Sequence, residues 1–208
     1  MIIELIGLPG AGKTKQAQTI VESYGFQIIK NTKKNTAHIL CKFFFPILIF
    51  SLNSICFNGL NGRTIFQIKC FLRNLSKIDA ALRDKENNRQ IIDEGIFAPI
   101  NIIIPRKKLD RTVKLMCLNK TINTYIRETR FMFVITDPQK CIDRINSRAQ
   151  HIPNFFVNLS EDMIKHIYLE MNDKISTECY ILKDNIIKYE DLQSKEWLVN
   201  ENINYKQG

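Results

Sequence analysis

The octapeptide Gly7-Leu8-Pro9-Gly10-Ala11-Gly12-Lys13-Thr14 constrains this chain more than anything else in it. It satisfies the spacing G-x-x-x-x-G-K-[ST] in full, directly after the apolar run Ile2–Ile6 and directly before a stretch of helical character, Thr14–Glu22. Strand, glycine loop and helix in that order wrap backbone around a phosphate. Glycines reach φ values that a Cβ forbids, and successive N–H groups then point inward as a nest for anionic oxygens. The positive end of the following helix dipole adds to the attraction. In such a loop Lys13 reaches the β- and γ-phosphates of a nucleotide and the Thr14 hydroxyl ligates magnesium. The alternative is a glycine-rich turn that matches the spacing by chance, and the flanking strand and helix argue against it.

The rest of the chain alternates strands and helices. Apolar runs at Phe26–Ile29, Gln90–Asp93, Phe131–Ile135 and Asn185–Tyr189 read as strands. Between Thr64 and Leu82 the residues Ile65, Ile68, Phe71, Leu72, Leu75, Ile78 and Leu82 recur at helical spacing, and Leu109, Val113, Met116 and Cys117 mark a further helix. Asp137-Pro138 and Ser160-Glu161-Asp162 are helix starts, with a side-chain cap ahead of a proline or an acidic first turn. Residues 31–37 are polar and read as a loop, and Asn58-Gly59 and Asn61-Gly62 are turn signals. The alternation predicts an α/β fold, a parallel sheet with helices on both faces, in a single domain.

Two further elements carry candidate chemistry. Gln90-Ile91-Ile92-Asp93-Glu94-Gly95 places an acid at the carboxyl tip of a strand, where open α/β sheets bind ligands. Asp93 is the candidate for holding magnesium or accepting a proton from an attacking hydroxyl, with Glu94 as its rival. The alternative is a solvated pair at a strand end. After Thr136-Asp137-Pro138 come Arg144 and Arg148, four residues apart and so on one helix face. They are placed either to close over a transferring phosphoryl group or to form an ordinary solvated basic face.

The formal net charge of +9 favours anionic partners, but the Lys and Arg are spread along the chain. Phosphate ligands therefore account for the charge more simply than nucleic acid does. The six cysteines form no Cys-x-x-Cys pair and lie near no His at metal-ligand spacing, which predicts reduced thiols in a cytoplasmic protein. The segment from Ile39 to Phe57 is apolar over roughly the length of a membrane span, yet it contains Lys42 and Pro46. A buried core or substrate-cleft helix is the expectation there, followed by contact with a membrane interface, with a true span last because it would split the sheet.

These residues resemble the P-loop nucleoside and nucleotide kinase group, the thymidylate-kinase-like and adenylate-kinase-like phosphotransferases. GLPGAGKT has the Pro and Ala of the kinase form of the loop, IIDEG stands where those kinases keep an acidic strand end, and TDPQKCIDRINSR resembles their strand, Asp-Pro, helix and lid-arginine passage. The resemblance implies a three-layer P-loop NTPase fold with a parallel five-stranded sheet and a helical lid at about residues 138–155. It implies ATP with magnesium as donor. Gly7, Leu8, Pro9, Gly10, Ala11, Gly12, Lys13 and Thr14 would bind donor phosphates, with Thr14 and Asp93 on the metal. Lys13, Asp93, Arg144 and Arg148 would be catalytic. Residues 31–85 would form a helical insertion on the acceptor side, for a nucleoside, nucleotide or other hydroxylated small molecule. Two departures stand out. No Arg follows the acid, where Glu94-Gly95 stands instead, and the Asp-Gly-x-Pro-Arg of adenylate kinases is absent.

Other functions of the same loop remain. A regulatory nucleotide switch with slow hydrolysis would need a guanine-reading Asn-Lys-x-Asp if it were a GTPase, and Asn119-Lys120-Thr121-Ile122 lacks the Asp. An ABC-type ATPase would carry Leu-Ser-Gly-Gly, which does not occur. A membrane-associated kinase of carbohydrate assembly would use segment 39–57 to meet lipid or a partner.

Overall fold

In a computed structural model of the chain, the residues described here are 1–30, 36–84, 89–147, 160–178, 182 and 185–188. Five strands order as β2-β3-β1-β4-β5, and every neighbouring pair is parallel. They are β1 (Ile2–Gly7), β2 (Gln27–Ile28), β3 (Gln90–Ile92), β4 (Thr129–Val134) and β5 (Ile186–Ile187). The helices are α1 (Lys13–Tyr24), α2 (Thr36–Lys42), α3 (Phe44–Asn58), α4 (Gly62–Arg83), α5 (Phe97–Ile103), α6 (Arg106–Met116), α7 (Lys120–Glu128), α8 (Pro138–Ser147) and α9 (Glu161–Glu178). The expected α/β class, parallel sheet and strand number therefore hold.

Both faces of the sheet are covered, and the strand period of two explains how. In β1, Ile2 and Ile6 point into the core formed with α3 to α7, while Ile3 and Leu5 point into the smaller core with Ala17 and Ile20 of α1. A third cluster joins Leu8 and Ala11 of the glycine loop to Cys141, Ile142 and Ile145 of α8 and to Tyr168 and Met171 of α9. The loop is thus itself part of a packed core, on its own side of the sheet end.

Local signals set the boundaries. Asn61 caps α4 by accepting the Thr64 N–H at 2.9 Å, and Gly25 ends α1 at φ 69°, its N–H donating to the Val21 carbonyl at 3.0 Å. Asp137 accepts the Lys140 N–H and the Ser160 hydroxyl accepts the Met163 N–H, so both expected helix starts are capped as read. The segment 39–57 differs from one continuous helix. It breaks at Phe43 into α2 and α3, which meet at 85°. Pro46 sits in the first turn of α3, where a missing N–H is tolerated, and it could not be accommodated inside a continuous helix without loss of a hydrogen bond. No single helix among the described residues is long and apolar enough to cross a membrane. The expected loop 31–37 lies mostly outside the described residues, and Thr36 and Ala37 already belong to α2.

Candidate active site

The glycine loop follows the central strand of the sheet at its carboxyl end. β3 lies on one side of it and β4 on the other, which is where doubly wound sheets take ligands. Gly10 and Gly12 adopt φ values of 80° and 95°, in the left-handed region that β-carbons penalise. At Gly10 a Cβ would also fall 2.5 Å from the Cys141 carbonyl oxygen of α8, so space and dihedral angle both demand glycine. The Lys13 ammonium donates to the carbonyls of Gly7 and Leu8, each at 2.9 Å, which folds its side chain back over the loop. Thr14 stands exposed in the first turn of α1.

Other elements fix the loop from outside. The Thr136 hydroxyl, just beyond β4, donates to the Ala11 carbonyl at 2.9 Å. The Tyr168 hydroxyl of α9 donates to the Pro9 carbonyl at 3.0 Å, and burial pushes the Tyr168 phenol well up from its ordinary value. Arg144 of α8 donates to the carbonyls of Gly10 and Ala11 at 3.2 and 3.3 Å. Its guanidinium therefore already lies at the loop. Arg148 falls outside the described residues, as does the rest of the expected lid segment beyond Ser147.

The acidic tip is built by α4. β3 runs beside β1 with Ile92 opposite Glu4, so Asp93 and Glu94 emerge at the same sheet end as the loop. Lys77, whose side chain is 7% exposed, donates from its ammonium to Asp93 Oδ1 at 2.9 Å and to the Glu94 carbonyl at 3.2 Å. Asn74 donates to the Gly95 carbonyl at 2.7 Å, and Arg73 pairs with Glu94 at 3.2 Å on the surface. Sequence reasoning did not assign Lys77, Asn74 or Arg73. Their signal is a helix whose inward positions, 74 and 77 among them, are polar within an otherwise apolar stripe.

Beneath the tip lies Glu4, fully buried in the middle of β1. Its carboxylate accepts the Tyr125 hydroxyl at 2.5 Å and the Phe97 N–H at 3.3 Å. Burial pushes its carboxyl up to about 7, although Tyr125, the Phe97 amide and the Lys77 charge pull the other way. The Tyr125 phenol is also pushed up, by burial and then by the Glu4 charge. A lone acid inside the run Ile-Ile-Glu-Leu-Ile was the signal for this site.

For a divalent cation, the candidate hard oxygen donors at this sheet end are the Thr14 hydroxyl and the Asp93 carboxylate, of which Lys77 engages only Oδ1, with Glu94 as the rival acid. That set fits magnesium, which keeps most of its water and takes one or two protein oxygens alongside phosphate. Among the described residues no cluster of three or more His, Cys, Asp or Glu forms an all-protein metal cage. Cys41, Cys56, Cys70, Cys117 and Cys141 are free thiols, and Cys179 falls outside the described residues.

No protein-family model matches the chain, and no curated protein matches it. Among solved structures it is similar to the deoxyadenosine kinase from M. mycoides. With the products dCMP and a flexible dCDP bound, that structure matches at 14% identity and a TM-score of 0.48, over 99% of this chain and 100% of the other. With dATP bound the values are 15% and 0.47, over 98% and 99%. With dCTP bound they are 14% and 0.43, over 99% and 100%.

Proposed function

We propose that the chain is an ATP-dependent small-molecule kinase that transfers the γ-phosphoryl group to a hydroxylated acceptor, a nucleoside or nucleotide first among them. One observation carries the reading. A complete G-x-x-x-x-G-K-T loop, with Gly10 and Gly12 at positive φ and Lys13 folded over it, ends the central parallel strand beside an acidic strand tip. A triphosphate lying in the loop meets inward N–H groups, the α1 dipole and the Lys13 charge. Thr14 and Asp93 would hold magnesium, which neutralises charge on the phosphate oxygens.

The acceptor oxygen forms its bond to the γ-phosphorus as the bridging P–O bond to the β-phosphate breaks, and ADP leaves. The acceptor's hydroxyl proton passes to the Asp93 carboxylate, which Lys77 holds in place. Arg144, already on the Gly10 and Ala11 carbonyls, lies within reach of the charge that develops on the transferred group, and Arg148 is its expected companion. Positioning and electrostatics supply most of the rate in such a transfer. A reducing, cytoplasmic setting, where ATP is abundant, fits the free thiols.

The test is incubation with magnesium and γ-labelled ATP against a panel of nucleosides, nucleotides and sugars, with Lys13→Ala as the blank and circular dichroism as the check on its fold. Label on one acceptor, absent with the folded variant, establishes the kinase and its acceptor class. Label released only as free phosphate, or ATP bound without turnover, moves the assignment to a regulatory nucleotide switch.

A further inference from the structure

We infer that α3 and α6 together form a docking face for an anionic lipid surface, a property separate from phosphoryl transfer. The two helices lie side by side and antiparallel. Asn58, at the end of α3, donates to the Ile103 carbonyl just ahead of α6 at 3.4 Å. Asn119, just past α6, donates to the Lys42 carbonyl just ahead of α3 at 3.0 Å. The pair is thereby pinned at both ends.

The outer surfaces of the two helices differ in kind. α3 has no charged residue in its fifteen positions. Its inner side, Pro46, Ile49, Phe50 and Ser54, is buried, and Phe50 stacks on Phe71 of α4 with ring centroids 4.3 Å apart. Phe44, Leu48, Leu52 and Ile55 form a stripe on the opposite side, and all four are exposed, Phe44 by 66% and Leu52 by 53%. The stripe is about 16 Å long at the rise of an α-helix. Scattered exposed apolar residues are ordinary, but a continuous uncharged stripe marks an interaction surface. α6 carries five cations and one acid. Lys107, Lys108, Arg111 and Lys114 are exposed, and Asp110 pairs with Lys114 at 2.7 Å. At the end where α6 approaches the start of α3, Leu118 is exposed as Phe44 is. Apolar side chains beside a cationic ridge are the pattern of a helix lying in a lipid interface, with the stripe among the acyl chains and the cations at anionic headgroups.

The same charge disfavours the competing occupants. A second copy docked through the whole face about a two-fold axis would set each cationic α6 against either the other α6 or the uncharged α3 stripe, and in neither case against acids that could pair with it. A nucleic acid would leave the uncharged α3 stripe unused. Crossing the bilayer is opposed by the 85° bend and by Lys42, bound at 2.7 Å to the buried Asp79 carboxylate of α4, which ties α2 to the body of the fold.

The experiment is co-sedimentation of the full chain with phosphatidylcholine vesicles, with and without phosphatidylglycerol, at low and high salt. The expected result is binding to the anionic vesicles at least about tenfold stronger than to the neutral ones, weakened by salt. Two independent variants should each lose at least about tenfold in that binding: Leu48→Glu with Leu52→Glu, and Lys107→Glu with Lys108→Glu. Thermal unfolding checks that both are folded. The surface variants leave the glycine loop untouched, so lipid binding and nucleotide binding can fail separately. Absence of pelleting with anionic vesicles at low salt overturns the inference. So does pelleting that the folded charge variant leaves unchanged. A dimer that the Leu48/Leu52 variant dissociates, without lipid binding by the parent chain, overturns it in favour of a second copy.

Discussion

The Glu4 carboxylate occupies the space that a side chain on residue 95 would need. A Cβ at Gly95 would fall 2.1 Å from Glu4 Cδ. A flexible carboxylate could ordinarily swing aside, but this one is held by Tyr125 and the Phe97 amide in a fully buried setting. Gly95→Ala is therefore expected to cost on the order of 1–3 kcal/mol, as overpacking does. The Gly95→Ala/Glu4→Ala pair should be markedly non-additive, because the second change removes the obstacle that makes the first one costly. Urea unfolding of the two single variants and the double variant measures the coupling. Strict additivity would show that the contact is relieved some other way.

Glu4 also sets a pH dependence of stability. Its folded value of about 7 lies above the ordinary 4.5. The stabilisation is thus complete at low pH, where both folded and unfolded chains hold the proton. As pH rises from about 4.5 through 7 the unfolded chain releases its proton first, so stability falls, by on the order of 3 kcal/mol in all. Glu4→Gln, which keeps the shape and cannot ionise, should flatten this decline. Unfolding free energies at several pH values between 5 and 8, wild type against variant, decide it; parallel curves would remove Glu4 as the cause.

Lys77→Met removes the cation that fixes Asp93 and leaves the Glu94 carbonyl without that donor. Asp93 is partly exposed and can rehydrate, so the stability loss is expected at about 1–3 kcal/mol. If Asp93 serves the transfer as proposed, kcat should fall by about tenfold or more while the KM for ATP changes little. A rise in KM alone would put Lys77 on the donor.

Tyr168→Phe deletes only the hydroxyl that donates to Pro9. The ring stays, so no cavity forms, and the expected cost is about 1 kcal/mol. Because that bond supports the loop from α9, nucleotide affinity should fall with it. Gly10→Ala should be the harsher change. Its strained φ costs on the order of 1–3 kcal/mol before the clash with the Cys141 carbonyl is counted. Calorimetric titration with ATP ranks the two, and equal affinities would contradict the support assigned to Tyr168.

The glycine loop was legible in sequence because its chemistry is local: eight consecutive residues make the nest, and the strand and helix beside it are contiguous with it. β1 was legible as an apolar run ending at the glycine loop, and α4 through its helical periodicity. The helices α5 and α7 went unread for different reasons. The sequence Phe97-Ala-Pro-Ile-Asn-Ile-Ile is short, holds a proline, and is largely buried, so no polar face reveals its period. In α7 the Asn119 cap, which accepts the Ile122 N–H at 3.2 Å, was visible only as a failed guanine-binding motif. Segment 39–57 was read as apolar and helical, which it is. Its division at Phe43 and its half-exposed outer face were not read, because hydrophobicity alone does not tell which side another helix covers. The partners of Asp93 and Glu4 were hidden for a further reason. Lys77 and Tyr125 reach them across long stretches of chain, and nothing in one sequence reports that proximity.

The place of β1 in the sheet also governs when the loop can exist. β1 pairs with residues 90–92 on one side and 129–134 on the other, so its register depends on segments far along the chain. Closing such distant contacts is slow, and the first strand cannot settle until its partners arrive. The glycine loop is thus expected to take its final shape only after residues 129–134 have docked beside β1. A variant that slows the docking of β4 should delay the appearance of nucleotide binding during refolding more than it delays the helices.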